Sequence, residues 1–279
     1  MSDSNAQRRP RVLVTGGTGR VASGIADDLA RDFDLLLTDV REPEQAVNHP
    51  FQQADLADVD RLTELARGCD AVVHLAIASQ RYFMDAPEQA WNDEQMRVNI
   101  MGTQHVFEAA RLAGVPRMVY MSSLTINLAD PRPSWIRITD PPRPRDLYAL
   151  TKLFGEQLGE LYSRKYGMTV ICLRLGQPFP LPNWGLEVLK RRSARGLMAG
   201  FEDIAQAVRC GLTVPDFRYK VAAICSESDV RYIDLTEAAQ IGYHPRQFFT
   251  EEGIIPCSAA KASPPGGPTA AASEPTHVR

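Results

Sequence analysis

Residues 11–22 read RVLVTGGTGRVA, where a short β-branched run is followed at once by a glycine-rich turn and then by amphipathic sequence. Gly16 allows a tight exit from the predicted strand, Gly19 allows the backbone to approach a phosphate, and Ala22 lets the next helix pack closely on the strand. The same spacing occurs in ordinary turns, but here it lies between a predicted strand and a predicted helix. Because such a helix N-terminus binds a dinucleotide pyrophosphate, the stretch predicts an α/β fold that begins with a dinucleotide-binding unit.

Short apolar runs alternate with amphipathic stretches along the rest of the chain, which is typical of parallel strands joined by helices on both faces of a sheet. The predicted strands are Arg11–Thr15, Asp34–Asp39, Ala71–Ala76, Arg117–Ser122, Thr169–Arg174 and Lys220–Cys225. The predicted helices are Gly19–Arg31, Asp58–Arg67, Ala90–Ala113 and Asp146–Tyr166. The proline-rich run 130–144 is expected to form a surface loop near the site. The pattern predicts a doubly wound parallel sheet.

A chain of 279 residues is long enough for one α/β domain with a sizeable core and a small elaboration. We expect a dinucleotide-binding domain over residues 10–176. Residues 177–250 are expected to form a small substrate-binding region that is integrated with it and returns one strand to the sheet. Residues 1–9 and 258–279 are predicted to be disordered tails, the second because Ala, Pro, Ser and Gly dominate it.

Charge and composition exclude several classes of protein. The formal net charge of −3 disfavours nucleic acid as a principal partner. The apolar run 12–14 is too short for a signal peptide or a membrane span, so we expect a cytoplasmic protein without a membrane partner. The cysteines are odd in number and lack metal-type spacing, which indicates buried, reduced thiols and no metal site. They are Cys69, Cys172, Cys210, Cys225 and Cys257.

Two acidic residues are placed to read the adenosine half of a dinucleotide. Asp39 ends the second predicted strand, where a carboxylate accepts hydrogen bonds from the ribose hydroxyls, and this favours NAD over NADP. The alternatives are a solvated acid, or recognition of a 2′-phosphate through Arg20 and Arg41. Asp55 would lie beside the adenine amino group, or cap a helix or turn. His74, at the end of the third strand, is expected to be a packed histidine rather than a catalyst.

Tyr148 and Lys152 lie one helical turn apart in the sequence YALTK. A tyrosine with its ordinary pKa near 10 is protonated at neutral pH, and we expect Lys152 and the positive nicotinamide ring to lower the pKa of Tyr148 substantially. Ser123, after the fourth strand, would hydrogen-bond the reacting oxygen. Asn99 would position a water that links Lys152 to solvent. The alternative is an ordinary surface pair, and the glycine loop and the serine argue against it.

These motifs together resemble the extended short-chain dehydrogenase/reductase family, also described as NAD-dependent epimerases and dehydratases. The resemblance covers roughly residues 10–250 and rests on TGGTGRVA at 15–22, Asp39, DLAD at 55–58, VVHLA at 72–76, VNIMGT at 98–103, YMSS at 120–123 and YALTK at 148–152. It implies a Rossmann-type fold with Asn99, Ser123, Tyr148 and Lys152 as the catalytic tetrad. The predicted cofactor-binding residues are Gly16, Thr18, Gly19, Arg20, Val21, Asp39, Val40, Asp55, Leu56, Leu75, Ala76, Ile77, Tyr148 and Lys152.

Within that family the chain looks most like uronate dehydrogenases, which oxidise hexuronic acids at C1 to lactones. The likeness is carried by residues 54–76 and by DLTEAAQIGYHP at 234–245. The short region after Arg174 leaves little material for enclosing a nucleotide sugar. Two departures alter presumed substrate contacts, because Leu124 and Thr125 stand where those enzymes have Asn-His, and Gln177 stands where they have serine.

A carboxylate on the substrate would require a cationic clamp. Arg191, Arg192 and Arg195 are the candidates, with Arg192 first, although such a run is also typical of a solvated basic helix face. Asp203 is expected to cap the helix that ends at Arg209. The predicted substrate-contacting residues are Ser79, Leu124, Thr125, Gln177 and Arg192, with Arg81 and Tyr82 near the mouth of the pocket.

The sequence therefore predicts an NAD-dependent oxidoreductase acting on a small hydroxylated or cyclic-hemiacetal substrate, for example a uronic acid that becomes a lactone. One alternative is an NAD-dependent sugar epimerase or dehydratase. Another is a catalytically silent protein that senses dinucleotides. The resemblance also implies a homodimer formed through the helix that carries Tyr148.

Overall fold

The strands and helices alternate along the chain as the sequence predicts. In this computed structural model the described residues are 8–44, 47–79, 86–129, 134–180 and 185–260. Numbered in chain order, the strands are β1 Arg11–Thr15, β2 Asp34–Asp39, β3 Phe51–Gln53, β4 Ala71–His74, β5 Arg117–Ser123, β6 Thr169–Leu175, β7 Gln177–Phe179, β8 Met198–Gly200, β9 Tyr219–Ile224, β10 Glu227–Ser228, β11 Gln247–Phe249 and β12 Ile254–Pro256. The α-helices are α1 Arg20–Leu29, α2 Val59–Ala66, α3 Glu88–Gln95, α4 Thr103–Leu112, α5 Leu147–Tyr166, α6 Arg192–Arg195, α7 Phe201–Thr213 and α8 Thr236–Gln240.

A seven-stranded parallel sheet has the order β3-β2-β1-β4-β5-β6-β9. The direction in which strands are added reverses between β1 and β4, and a crevice opens at the carboxyl ends of the strands at such a point. The doubly wound sheet is confirmed. The six predicted strands are all present with their ends shifted by at most two residues. β9, from the region after residue 176, pairs with β6, whereas a domain boundary at 176 stays a prediction.

The two faces of the sheet carry separate apolar cores because alternate residues of a strand point to opposite faces. Val12 and Val14 lie in one core with apolar residues of α1 and α7. Leu13, between them, lies in the other core with residues of α2, α4 and α5. The fully apolar strands of the sequence are therefore strands covered by helices on both sides.

Two local features differ from the prediction. The edge strand β3 was missed because its sequence, Phe51-Gln52-Gln53, is short, mostly polar and largely exposed. The predicted helix Ala90–Ala113 starts at Glu88 and is interrupted by a π-helical segment, Met96–Gly102, between α3 and α4. Asn99 lies in that segment, and π-helical turns occur frequently at functional sites.

Smaller elements follow β6. β7 pairs with β8, and β10, β11 and β12 form a three-stranded sheet. Within the described part of the proline-rich run, residues 134–144 form no helix and contribute one isolated bridge, between Ile136 and Ile233. Short 3-10 helices cover Leu124–Asn127, Leu186–Lys190 and Cys257–Ala259.

The expectation that Asp203 caps a helix is wrong. Helix α7 begins after Gly200, and Asp203 is its third residue and fully buried. Its carboxylate accepts hydrogen bonds from Ser226 Oγ at 2.5 Å, from Arg246 N at 2.6 Å and from Gln247 N at 3.2 Å. The side chain therefore ties α7 to the loop after β9 and to the start of β11.

The cysteines are free thiols. Cys69, Cys172 and Cys225 are buried as expected, whereas Cys210 and Cys257 are half-buried. Among the helices that the structure describes, none has the length and hydropathy to pass through a bilayer.

Helix α5 lies close against β5 because Gly155 has no side chain. A Cβ at Gly155 would overlap the ring and hydroxyl of Tyr120, which is itself completely buried. The carboxyl end of β5 and the first half of α5 carry three of the four predicted catalytic residues, Ser123, Tyr148 and Lys152. This contact therefore sets how closely they approach each other.

We expect Gly155→Ala to lower the free energy of unfolding by about 1–2 kcal/mol, because overpacking outweighs the better helix propensity of alanine. Chemical denaturation followed by circular dichroism measures the change. Gly185→Ala is the control, since a Cβ there meets nothing within 4 Å. A Gly155→Ala variant as stable as the parent would show that the two elements are not in tight contact.

Candidate active site

The glycine-rich turn connects β1 to α1 at the carboxyl edge of the sheet. Gly16 has a φ of +72°, and a Cβ at this position would lie 2.6 Å from the backbone nitrogen of Ala76. Gly19 N donates to Gly16 O at 2.9 Å and closes the turn. No side chain caps the N-terminus of α1. Its first N–H groups are thus open to an anion, which suits the pyrophosphate of a dinucleotide.

Asp39, at the end of β2, holds the glycine-rich turn in place. Its Oδ2 accepts hydrogen bonds from Thr18 N at 3.1 Å and from Thr18 Oγ1 at 2.8 Å, and its Oδ1 accepts one from Val40 N at 2.8 Å. A carboxylate has about four acceptor positions. One position therefore remains for a ribose hydroxyl, which is the contact that the sequence predicts.

Asp55 forms a turn rather than a helix cap. Its Oδ1 accepts from Ala57 N at 2.9 Å and pairs with Arg97 at 3.3 Å. Asp58 caps α2 instead by accepting from Arg61 N. Arg97 therefore partly balances the carboxylate that the sequence assigns to the adenine amino group.

Apolar side chains beside these strand ends are left partly open to solvent. Val40, after β2, is 42% exposed, and Ile77, after β4, is 44% exposed. Leu75 is buried, while Val21, Leu56, Ala76 and Arg20 are half-buried. Exposed apolar side chains on both sides of the reversal in strand order offer surface for the flat rings of a dinucleotide.

Lys152 is buried between α5 and the sheet, with 2% of its surface exposed. Its Nζ donates to Met121 O at 2.9 Å and lies 5.9 Å from the centre of the Tyr148 ring. Burial lowers the pKa of Lys152 to about 7, and the negative charge of Glu156 opposes this shift.

Tyr148 and Ser123 are joined by a hydrogen bond. Burial raises the pKa of Tyr148 to about 12, although the hydrogen bond with Ser123 acts in the opposite direction. The expectation that Lys152 lowers this pKa is wrong for the residues of the chain by themselves. The loss of solvent around the phenol outweighs the favourable interactions within the protein.

Ser123 and Asn99 are each fixed by neighbouring loops. Ser123 Oγ accepts from Thr125 N at 3.3 Å and from Thr125 Oγ1 at 2.9 Å. Asn99 Oδ1 accepts from Ala78 N at 2.8 Å, and its Nδ2 donates to Thr151 Oγ1 at 3.2 Å. The buried amide of Asn99 thus connects the loop after β4 to α5, beside Lys152. Its link to a water molecule stays a prediction.

The predicted substrate residues lie in different environments. Leu124 is buried in a small apolar cluster with Ile136 and Cys225. Thr125 and Ser79 are half-buried, whereas Gln177 and Arg192 are exposed. Arg81 and Tyr82 lie outside the described residues.

Arg195 is buried and its charge is already balanced. Its Nε and Nη2 each lie 2.7 Å from the Asp229 carboxylate, its Nη1 donates to Leu189 O at 2.5 Å, and Glu251 lies 3.3 Å away. The guanidinium holds neighbouring segments together. Arg191 and Arg192, which are exposed, remain as candidates for a carboxylate clamp.

His74 is a packed histidine, as predicted. It is completely buried, with Thr15 Oγ1 at 2.6 Å from Nδ1 and Thr103 Oγ1 at 3.1 Å from Nε2. Burial, followed by the charge of Lys152, lowers the pKa of His74 to about 3. The ring is therefore neutral near neutral pH.

A buried ion pair that was not predicted from the sequence lies next to Lys152. Glu156, one turn further along α5, binds Arg174 through two contacts, of 2.9 Å and 2.7 Å. Ser122 Oγ donates to the Glu156 carboxylate at 2.5 Å, and Arg174 Nη1 donates to Asn127 Oδ1 at 2.8 Å. The signal in the sequence is the repeated spacing of four residues from Tyr148 to Lys152 to Glu156.

Comparisons with known proteins agree with this geometry. A sequence model of the NAD dependent epimerase/dehydratase family matches residues 12–180. The chain is 35% identical over 262 residues to L-arabinose 1-dehydrogenase (NAD(P)(+)) of Haloferax volcanii, covering 85% of this chain and 96% of that protein. It is 28% identical over 252 residues to uronate dehydrogenase of Pseudomonas syringae pv. tomato, covering 88% of this chain and 86% of that protein.

Several of the similar solved structures contain NAD. One of them is a variant of uronate dehydrogenase from Agrobacterium tumefaciens complexed with NAD. It is 26% identical to this chain, with a TM-score of 0.70, and the likeness covers 86% of this chain and 85% of that one.

We expect Asp39→Asn to weaken NAD⁺ binding roughly tenfold, because a hydrogen bond to a charged acceptor contributes about 1.5–3 kcal/mol. Binding of NADP⁺ should improve, since the variant no longer repels a 2′-phosphate. Calorimetric titration with each dinucleotide gives both affinities. Asp60→Asn, on the exposed face of α2, removes the same charge away from the site and serves as the control. Unchanged affinity for both dinucleotides in Asp39→Asn would remove Asp39 from the cofactor site.

Proposed function

Because this chain belongs to the NAD-dependent epimerase/dehydratase family, we propose that it is an NAD-dependent dehydrogenase that oxidises the C1 hemiacetal of a small free sugar or sugar acid to a lactone. The observation that carries this proposal is the hydrogen-bonded pair of Tyr148 and Ser123, with Lys152 one turn away, at the carboxyl edge of the sheet. The uncapped glycine-rich turn opens at the same edge.

The positions of these residues support the following roles. Tyr148 removes the proton from the C1 hydroxyl, and Ser123 hydrogen-bonds the same oxygen as its bond to carbon gains double-bond character. Lys152 holds the ribose of the nicotinamide and favours the phenolate by its charge. When bound, NAD⁺ supplies the acceptor for the C1 hydride. Asn99 holds the loop after β4 and helix α5 together through the two hydrogen bonds of its amide.

The sign of the pH dependence follows from the acid–base role of Tyr148. The phenolate is the form that accepts the substrate proton, and burial raises the pKa of Tyr148 to about 12. Oxidation should therefore speed up as pH rises toward neutral, and the increase should end where Lys152, with its pKa of about 7, loses its charge. Reduction of the lactone requires the neutral phenol and has the opposite dependence.

The residues that are predicted to contact the substrate do not by themselves distinguish a neutral sugar from a sugar acid. The relatives include an arabinose dehydrogenase, whose named sugar has no carboxylate, and a uronate dehydrogenase, whose named substrate has one. Arg195 is neutralised by Asp229, which leaves the exposed Arg191 and Arg192 for a carboxylate. Both substrate classes belong in the first screen.

Helix α5 and the helical segment before α4 expose large apolar side chains. Leu150 and Met101 are each 53% exposed, and Leu161 is 39% exposed. We infer that these side chains are covered in a homodimer built around α5. A mass equal to twice 30.9 kDa in multi-angle light scattering is the expected result, and a monomer mass would contradict it.

We expect NAD⁺ to be reduced when the protein is given L-arabinose, other neutral aldoses, glucuronate or galacturonate, with one of these clearly preferred. The increase of NADH absorbance, together with chromatographic identification of the lactone, measures the reaction. Conversion of one sugar into another without net NADH would indicate an epimerase. Tight NAD(H) binding without turnover of any substrate would indicate a silent binding protein.

Tyr148→Phe separates catalysis from binding in the same assay. Loss of the proton acceptor should reduce kcat at least a hundredfold, while NAD⁺ affinity and thermal stability stay close to those of the parent. Tyr166→Phe, the same substitution at an exposed position at the end of α5, should retain kcat. Undiminished kcat in Tyr148→Phe would contradict the role given to Tyr148.

A further inference from the structure

Three ionisable side chains follow one another on the inner face of α5. Tyr148, Lys152 and Glu156 are spaced by four residues, so they lie one above the other along the helix. Lys152 reaches the carbonyl of Met121, and Glu156 reaches the hydroxyl of Ser122. Consecutive residues at the end of β5 are therefore held by consecutive turns of α5, and the next residue of β5 is Ser123.

The Glu156 carboxylate also connects α5 to β6 and to the 3-10 helix after Ser123. Arg174, the penultimate residue of β6, binds both carboxylate oxygens and donates to Asn127 Oδ1. Glu156 is 1% exposed and Arg174 is 3% exposed. An ion pair this deeply buried is costly to desolvate, and apolar residues of similar volume often stabilise a fold as well or better. Stability alone therefore gives no reason for charges at this place.

The other titratable groups that face this pair from the sheet are neutral near neutral pH. Burial lowers the pKa of His74 on β4 to about 3. Burial raises the pKa values of Tyr120 on β5, Cys172 on β6 and Tyr219 on β9. Among the described residues of the sheet and α5, Glu156 is thus the buried group that supplies a negative charge near Lys152.

At the outer end of α5, Arg145 and Asp146 face Tyr148. They form an exposed ion pair at 2.9 Å, and their effects on the Tyr148 pKa oppose each other. Their charges largely cancel and are screened by solvent. The net charge around Tyr148 is therefore decided by the buried groups Lys152, Glu156 and Arg174.

We propose that Glu156 is a positioning residue for the dehydrogenase reaction: held by Arg174 and Ser122, it aligns α5 with Ser123 and supplies the negative charge that supports the Lys152 ammonium. The role of Glu156 in catalysis rests on the proposed function. Its effect on the charge of Lys152 depends only on the residues of this chain. A charged Lys152 beside Tyr148 favours the phenolate more than a neutral Lys152 does, although it does not offset the burial of the phenol. Glu156 therefore acts on the reacting oxygen through Lys152.

Lys152 can be observed directly because the chain has few lysines. They are Lys152, Lys165, Lys190, Lys220 and Lys261. Protein labelled with ¹³C at the lysine ε-carbon is titrated by NMR, and the Lys152 signal is assigned by its loss in Lys152→Arg. We expect Lys152 to titrate near 7 in the parent, as burial dictates. In Glu156→Gln its midpoint should fall by about one pH unit or more.

Two further variants separate charge from structure. Glu156→Gln leaves Arg174 buried without a counter-charge, so the double variant Glu156→Gln/Arg174→Met should recover thermal stability. It still lacks the carboxylate, and its Lys152 midpoint should stay low. Glu160→Gln, an exposed acid one turn further along α5, should leave the Lys152 midpoint where it is.

The same variants are then assayed for NAD⁺ reduction with the preferred sugar. The alkaline limb of the kcat/KM profile should move to lower pH in Glu156→Gln and in the double variant by the shift seen for Lys152. A Lys152 midpoint that does not move in Glu156→Gln, or that returns to the parent value in the double variant, would overturn the proposal. If the parent turns over none of the sugars while the midpoint still moves, the proposed function fails and the effect of Glu156 on Lys152 stands.

Discussion

Two oppositely charged side chains of α5, Lys152 and Glu156, are buried against the carboxyl end of β5, and the geometry of the site depends on how they are satisfied. Lys152 donates to Met121 O and Glu156 accepts from Ser122, so both contacts go to consecutive residues before Ser123. Gly155 lies between them in the sequence and brings the helix close to Tyr120. A buried charge without a partner is costly, so these contacts restrict α5 to one position along the strand. Tyr148 reaches Ser123 because of that restriction.

The same burial that fixes the geometry acts against the chemistry of the phenol. Removal of solvent raises the pKa of Tyr148 and lowers that of Lys152, so each side chain moves toward its neutral form. An ion pair of phenolate and ammonium is more favourable than either charge alone in the same environment. Lys152 therefore requires a nearby negative charge to keep its ammonium form in this buried position. The Glu156 carboxylate on the lysine side meets this requirement within the chain, and Arg174 makes its burial tolerable.

The central sheet was predictable from the sequence because both of its faces are covered. Strands such as Arg11–Thr15 and Asp34–Asp39 read as continuous apolar runs, and their bounds agree with the prediction. The strand Phe51–Gln53 carries no such run, since it lies at the sheet edge and its pairing with β2 is a long-range backbone contact. The π-helical turn at Met96–Gly102 was also hidden, because apolar spacing does not distinguish it from an α-helix.

Within the site, the sequence predicted which residues meet but not how their environments act on them. Tyr148, Ser123 and Lys152 are together as expected, yet the direction of the Tyr148 pKa shift was missed, because the degree of burial is a property of the packed fold. The role of Asp203 was misjudged for a related reason, and the ion pairs of Arg195 were likewise not predictable from local sequence. Their partners Ser226, Asp229 and Glu251 lie 23 to 56 positions away in sequence.

The cofactor side and the substrate side of the crevice are built from different kinds of contact. The glycine-rich turn is fixed by its own geometry and by the bonds between Asp39 and Thr18, within one βαβ unit. The region after Gly176, which the sequence predicts to bind the substrate, contains α6, α7 and two small sheets, and buried Asp203 and Arg195 join these segments. We therefore expect substitutions in this region to alter substrate preference while the bonds between Asp39 and the turn stay in place.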